Sequence, residues 1–165
     1  MPPVAVAIGS NLGDRHAHLT YGVTRLRSVL ADLRLSTIIE TDAVDVVGVQ
    51  PPFLNAAATG RYDGAARSLL DELLRIEQER GRERPYARAP RTLDLDLILF
   101  GDERVEEEGL IVPHPRFRAR RFVLEPLAEV GGGLRDPVTG LTVRDLLERL
   151  PSATLGRVQT KGPAF

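Results

Sequence analysis

In the segment Arg91-Thr-Leu-Asp-Leu-Asp-Leu-Ile-Leu-Phe100, two aspartates, Asp94 and Asp96, stand two residues apart in a run otherwise made of Leu, Ile and Phe. Such a run reads as a buried strand. Alternation along a strand puts both carboxylates on one face, roughly 6–7 Å apart. Burying an unpaired carboxylate is costly, and two neighbouring ones repel. The compensating charge is a divalent cation, an arginine, or both. From spacing alone, a salt-bridged pair on a solvated face with its leucines turned inward fits as well. Arginines weigh against that blander reading: Arg80, Arg82, Arg84, Arg88 and Arg91 crowd the stretch just ahead, only partly offset by Glu79 and Glu83. A guanidinium fork matches phosphate oxygens. Carboxylates beside arginines at the end of a strand suggest Mg²⁺-assisted phosphoryl transfer.

Other residues could join that chemistry. A second basic group, Arg116, Arg118, Arg120 and Arg121, follows His114, which sits between two prolines that restrict its backbone. A lone histidine is more often a structural hydrogen-bonding residue; between two arginine groups, His114 reads as a phosphate donor. Asn55 interrupts the apolar run Phe53-Leu-Asn-Ala-Ala-Ala58, and a buried amide needs partners. It either bonds backbone at a strand edge or reads the donor and acceptor edge of a heterocycle. Phe53 and Phe122 either stack on such a ring or belong to the core. Gly9-Ser10-Asn11-Leu12-Gly13 lacks the P-loop spacing, and Gly-Lys-Ser/Thr occurs nowhere, so phosphate binding there is weakly supported. His16 and His18 are expected at the surface of the first helix.

The elements that must position these residues follow from periodicity. Val4 to Ile8 reads as a first strand, ending in the Gly-Ser-Asn-Leu-Gly turn. A helix is expected from Asp14, with Leu19, Val23, Leu26, Leu30 and Leu33 as its buried stripe. Leu35–Val44 is expected as a second strand, Val46–Pro52 as a loop, and Phe53–Tyr62 as a third strand despite its alanines. A second helix covers about Ala65–Arg80 and stops at Gly81. The arginine-rich stretch Arg82–Pro90 is expected as a loop, and the Asp-bearing strand follows. Glu106–Glu108 is expected on a solvated hairpin and Ile111–Pro115 as extended chain. Helices are expected over Phe122–Val130, broken by Gly131–Gly133, and over Thr142–Leu150, where Thr142 and Asp145 are spaced as a capping box. Pro151–Phe165 reads as a tail. The order strand–helix–strand–strand–helix–strand predicts an α+β fold: a ferredoxin-like βαββαβ core, mainly antiparallel sheet with helices packed on it, and a C-terminal extension.

The 165 residues are expected to form a single domain, residues 1–165, with no fused partner domain and enough chain for a real core. The net charge of −1 argues against a nucleic-acid polycation, so any anion site comes from local arginine clustering. With no cysteine, disulfides, Cys-ligated zinc and thiol catalysis are excluded. The N-terminus lacks the pattern of a signal peptide, and no stretch reaches the ~20 apolar residues of a spanning helix. The expected setting is the cytoplasm, with no membrane and no nucleic-acid partner.

The aspartate block is also the feature most open to comparison with known families. Pro90-Arg-Thr-Leu-Asp-Leu-Asp-Leu-Ile-Leu-Phe100 resembles the signature of the 6-hydroxymethyl-7,8-dihydropterin pyrophosphokinases of folate biosynthesis. Three further blocks agree in order and spacing: Ala7-Ile-Gly-Ser-Asn-Leu12, Phe53-Leu-Asn-Ala56, and Val112-Pro-His-Pro-Arg116 running into Arg120-Arg-Phe-Val-Leu-Glu-Pro-Leu-Ala128. The resemblance implies transfer of a diphosphoryl group from ATP to the pterin hydroxymethyl oxygen, with AMP as the second product. It implies that Asp94 and Asp96 hold two Mg²⁺ ions, and that Arg82 and Arg91 steady developing phosphate charge. By the same resemblance Arg84, His114 and Arg120 contact ATP phosphates, and Glu77 and Ile98 line the nucleotide site. Thr41 and Asn55 would read the pterin edge between the rings of Phe53 and Phe122. The partners implied are ATP and hydroxymethyldihydropterin, and the expected state is a monomer.

The chain departs from the family pattern in a few places. Val44–Gln50 lacks the usual proline-glycine, Asp42 replaces a frequent proline, Arg88 and Ala89 stand where some members carry an aromatic residue and a glycine, and Arg118 stands where a histidine is common. Two other classes compete with this reading. One is a different Mg²⁺-dependent nucleotidyl or phosphoryl transferase using the same strand. The other is a non-catalytic RNA-binding module on a ferredoxin-like sheet, against which the near-neutral charge and scarce aromatics stand.

Overall fold

The computed structural model describes residues 1–42, 50–81 and 92–151, and the backbone of 159–162. Strand β1 (Pro3–Ser10) leads into helix α1 (Arg15–Val29), and β2 (Ala31–Leu35) and β3 (Ile38–Thr41) follow. Then come β4 (Phe53–Arg61), α2 (Ala66–Glu79) and β5 (Asp94–Phe100). The main sheet runs β5-β1-β4-β3-β8, with β2 also paired to β4; β8 is Gln159–Gly162. Every pairing in it is antiparallel. With β2 and β3 sharing the second-strand position, this is the ferredoxin-like βαββαβ core that the element order predicts.

Alternation along β1 divides the interior in two. Val4, Val6 and Ile8 face a core built with Leu19, Val23 and Leu26 of α1 and Leu69, Leu73 and Ile76 of α2. Ala5 and Ala7 face the opposite core, where Phe117, Val123, Leu124 and Leu127 pack. Those residues belong to a 3₁₀ turn (Phe117–Ala119) and helix α3 (Arg121–Gly131), with α4 (Val143–Glu148) behind them. The small residues Ala5, Ala7 and Ala57 let α3 approach the sheet closely, so the alanines of β4 serve packing. Gly22 of α1 serves it likewise: a Cβ there would stand 3.2 Å from a methyl of Leu93, so α1 lies directly against the entry to β5.

Three expectations are corrected. The second strand is two short strands, starting earlier than Leu35. At the break, the Ala57 N–H donates to Ser36 Oγ, and the Thr37 N–H and hydroxyl donate to the Glu129 carboxylate. Leu33 belongs to β2 and not to the α1 stripe; the helix ends at Val29, and Asp32 takes a left-handed φ of 53° that turns the chain. Residues 159–162 are not a bare tail but pair with β3. The capping box at Thr142 and Asp145 is present, and Glu106–Glu108 lies exposed on the hairpin of β6 (Val105–Glu107) and β7 (Leu110–Val112). Among the described residues no helix is long and apolar enough to cross a membrane.

The segment between His114 and α3 is held by one ion pair. Asp136, 0 % exposed, accepts from both Nε and Nη2 of Arg118, and also from the Val138 N–H and the Thr139 hydroxyl. Burial pushes the Asp136 carboxyl up, but these donors outweigh it and hold the pKa below the usual aspartate value. Arg118→Ala should therefore strand a buried carboxylate and cost about 3 kcal/mol. Arg116→Ala, at an exposed position, should change stability by less than ~0.5 kcal/mol in the same urea titrations.

Candidate active site

The register of three strands assembles the site. Gly9 on β1 lies opposite Asp94 on one side and Asn55 on the other; two residues away, Ala7 lies between Asp96 and Ala57. Asp94, Asp96, Gly9, Asn55 and Phe53 thus share one face of the sheet. Two strand spacings separate Asp94 from Asn55, ~10 Å between backbones. Both aspartates are half-buried, and all side chains between them and Phe100 are buried. The expected common face of the carboxylates is therefore present.

On the far side of Gly9, Asn55 is only 7 % exposed, and its Nδ2 donates to Thr41 Oγ1 at 2.8 Å. Its Oδ1 lies over Gly9, 3.4 Å from where a Cβ would stand, with a ring carbon of Phe53 3.7 Å from the same point. A missing side chain thus leaves a concave spot bordered by an amide oxygen and an aromatic edge. Phe122, half-buried in the first turn of α3, carries the Arg120 guanidinium 5.5 Å from its ring centre.

His114 lies near Asp94, Arg116, Arg118 and Arg120, all of which act on its charge. Burial first, and then Arg120, lower its pKa from 6.5 to about 4, with Asp94 opposing them. Its Nδ1 accepts the Arg116 N–H at 3.1 Å, which leaves Nε2 protonated on a neutral ring. A cleft of ≈ 280 Å³ opens between α2, the outer edge of β5 and the β6–β7 hairpin. Leu70, Leu74, Glu77, Leu97, Ile111 and His114 are on its wall.

Of the residues singled out in the sequence, Asp94, Asp96, His114 and Arg120 lie at one end of the second face, and Thr41, Phe53, Asn55 and Phe122 on the same side of the sheet. Glu77 borders the cleft. Ile98 does not: it is 1 % exposed in the core under α3, and its carbonyl accepts the His114 N–H at 2.9 Å. Leu97 takes the place at the cleft. Alternation along β5 accounts for this: Leu95 and Leu97 face α2, whereas Ile98 shares the α3-side face with Asp94 and Asp96. Arg82, Arg84, Arg88 and Arg91 lie outside the described residues, as do positions 43–49.

Other cationic candidates are engaged elsewhere. Arg80 stacks over Tyr21 at 4.7 Å and donates to His18 Nδ1; His18 is therefore half-buried, whereas His16 is exposed as expected. Arg118 is held by Asp136. The Gly-Ser-Asn-Leu-Gly turn acts as an anchor: Asn11 donates to Gln50 Oε1 and the Pro51 carbonyl. Asp14 caps α1 by accepting the Ala17 N–H, which places a negative charge where a phosphate would have to bind. Among the described residues no group of three or more acidic, His or Cys side chains is arranged for a metal. Two hard carboxylates, with Asp96 on the cleft wall, suit Mg²⁺, which takes one or two protein carboxylates and completes its shell with water and phosphate oxygens.

Fold and site together define an antiparallel α+β scaffold with a carboxylate pair on one side of a glycine and a buried amide on the other. Residues 5–132 match the family model described as 7,8-dihydro-6-hydroxymethylpterin-pyrophosphokinase (HPPK). The chain belongs to this family. It is 43% identical over 127 residues to the 2-amino-4-hydroxy-6-hydroxymethyldihydropteridine pyrophosphokinase of Bacillus subtilis, covering 76% of this chain and 75% of that protein. It is 38% identical over 160 residues to the enzyme of the same name from Pseudomonas aeruginosa, covering 91% and 98%. Among solved structures, a Plasmodium falciparum HPPK-DHPS chain superposes with a TM-score of 0.67 at 13% identity, covering 90% of this chain and 43% of the other. At that identity the likeness concerns the fold, and this chain spans under half of that solved chain.

The pKa of His114 carries a stability consequence. Between about 4 and 6.5 the unfolded chain binds a proton at this position that the folded chain refuses. Stability contributed by the neutral ring is thus fully present above pH 6.5 and is lost as the pH falls toward 4. Without Mg²⁺ or nucleotide, the melting temperature of the unaltered chain should fall more steeply between pH 7.5 and 5 than that of His114→Gln. Parallel curves for the two proteins would contradict the assignment.

Proposed function

We propose that this chain transfers the diphosphoryl group of ATP to 6-hydroxymethyl-7,8-dihydropterin in folate biosynthesis, releasing AMP and the pterin diphosphate ester. The observation that supports it most is the register line Asp94–Gly9–Asn55, which puts the carboxylates of Asp94 and Asp96 and the amide of Asn55 on one face. In this reading the pterin edge meets Asn55 Oδ1 and the Thr41 hydroxyl, between Phe53 and Phe122. ATP lies toward the cleft beside α2, with Glu77, Leu97 and Ile111 near its nucleoside end.

Asp94 and Asp96 would hold two Mg²⁺ ions. Bound there, magnesium supplies charge neutralisation on the phosphates and a lowered pKa for a coordinated hydroxyl. The chain's own residues do the rest. The neutral His114 offers its Nε2–H to a phosphate oxygen without adding a charge that must be dispersed. Arg120, braced on Phe122, and Arg84 neutralise phosphate oxygens, while Arg82 and Arg91 steady the charge that develops in transfer. The pterin hydroxymethyl oxygen forms its bond to the β-phosphorus as the bond from that phosphorus to the α,β-bridging oxygen breaks. The hydroxyl proton goes to solvent, and AMP departs with the bridging oxygen. The single chain is the proposed working unit, in the cytoplasm.

The test is incubation with ATP, Mg²⁺ and reduced hydroxymethylpterin, followed by nucleotide analysis. AMP should form in equal amount with the pterin product, and Asp94→Ala or Asp96→Ala should lower turnover by roughly 10³-fold or more. ADP in place of AMP would reject the reading.

Gly9 offers a more selective check. Gly9→Ala should leave stability within ~0.5 kcal/mol, because its Cβ meets only ordinary contacts. The methyl should raise KM for the pterin roughly tenfold by intruding between Asn55 and Phe53, with KM for ATP unchanged. Equal effects on both substrates would remove the recess from the account.

A further inference from the structure

We infer that Glu77 is a positioning residue for the Asp94–Asp96 pair, acting through the backbone amide of Leu95. Its consequence for magnesium rests on the diphosphate-transfer reading above. Among the described residues strand β5 is the edge of the sheet, with β1 its one strand neighbour. Leu95 stands between the two aspartates, and its N–H donates to Glu77 Oε2 at 2.7 Å. In an antiparallel strand, successive amides point alternately toward and away from a given neighbour. Since the Leu95 amide is turned to the open edge, those of Asp94 and Asp96 are turned to β1. The segment bearing both carboxylates is thus clamped from both sides, by β1 and by a side chain that replaces the absent strand.

The anchor is rigid at its other end. Glu77 lies in the last turn of α2, and Leu69, Leu73 and Ile76 of that helix are each 0 % exposed. Glu77 itself is 2 % exposed. A carboxylate there is disfavoured twice, by burial and by the negative end of the helix dipole. The short charge-assisted bond to Leu95 offsets part of that cost. It also does what an edge strand carrying two like charges needs, which is to resist the fraying that would let the carboxylates move apart. Glu77 borders the cleft but reaches the metal-ready pair through the strand and not through the nucleotide.

The experiment combines amide exchange with magnesium dependence in the full chain. In the unaltered protein the Leu95 amide should exchange at least tenfold more slowly than exposed loop amides. In Glu77→Ala it should accelerate roughly tenfold, while the Val6 amide at the centre of β1 does not change. The Mg²⁺ concentration for half-maximal AMP release should rise several-fold in Glu77→Ala, by a larger factor than KM for ATP measured at saturating Mg²⁺. Glu77→Gln, which keeps an acceptor oxygen and loses the charge, should restore both readings. Fast exchange at Leu95 in the unaltered protein overturns the inference, as does a Glu77→Ala variant whose only change is weaker ATP binding. If Glu77→Ala does not fold, the unaltered chain and Glu77→Gln decide alone. A protected Leu95 in a chain that makes no AMP would instead count against the proposed reaction and leave the clamp standing.

Discussion

The antiparallel register through Gly9 is the constraint on which the rest depends. It sets a carboxylate on one flank and an amide on the other, with no side chain between them, across β5, β1 and β4. A slip of one residue in either ladder would send Asp94 or Asn55 to the opposite face, under α1 and α2. The register is secured by the unlike faces of β1: Val4, Val6 and Ile8 need the larger core, and Ala5 and Ala7 fit only beneath α3. Core packing and site geometry are therefore one specification.

Electrostatics then sorts the charged residues. A chain with net charge −1 crowds nine of its 21 arginines into two short stretches, and the described ones divide by partner. Arg80 is held by Tyr21 and His18 and Arg118 by a buried carboxylate, so both shape the scaffold. Arg120 stays beside His114 and Phe122 at the mouth of the site. Burial first, and then Arg120, keep His114 neutral, so it can donate a hydrogen bond at neutral pH without an added charge. Glu77 supplies the complementary negative group, spent on the backbone of β5.

Much of this was legible in the chain because it is written in local periodicity. The Asp-x-Asp spacing in an apolar run requires a shared face. Asn55 inside Phe-Leu-Asn-Ala declares a buried amide, and the Thr142–Asp145 box and the βαββαβ order appear as read. What was not legible depends on contacts distant in sequence. The split between β2 and β3 rests on Glu129, 92 residues from Thr37. The pairing of β8 with β3 and the Arg118–Asp136 bridge carry no local signal. Helical spacing carries on to Leu33 although the chain has already turned at Asp32. That Leu97 and not Ile98 lines the cleft follows from alternation, but only once the cleft is known to lie on the α2 side of β5. Gly9 was visible as a turn residue, but its place as a gap between Asp94 and Asn55 needed the register.

The central claim is that one sheet face holds a divalent cation at Asp94 and Asp96, next to the recess over Gly9. Mn²⁺ substituted for Mg²⁺ with a non-transferable ATP analogue tests it most directly, through paramagnetic broadening of backbone amides in the isotope-labelled chain. The account predicts the strongest broadening at Asp94, Leu95 and Asp96, then at Ile8 and Gly9, with little effect at Val143 and Leu146 of α4. Broadening centred elsewhere, with the amides of 94–96 left sharp, would contradict it.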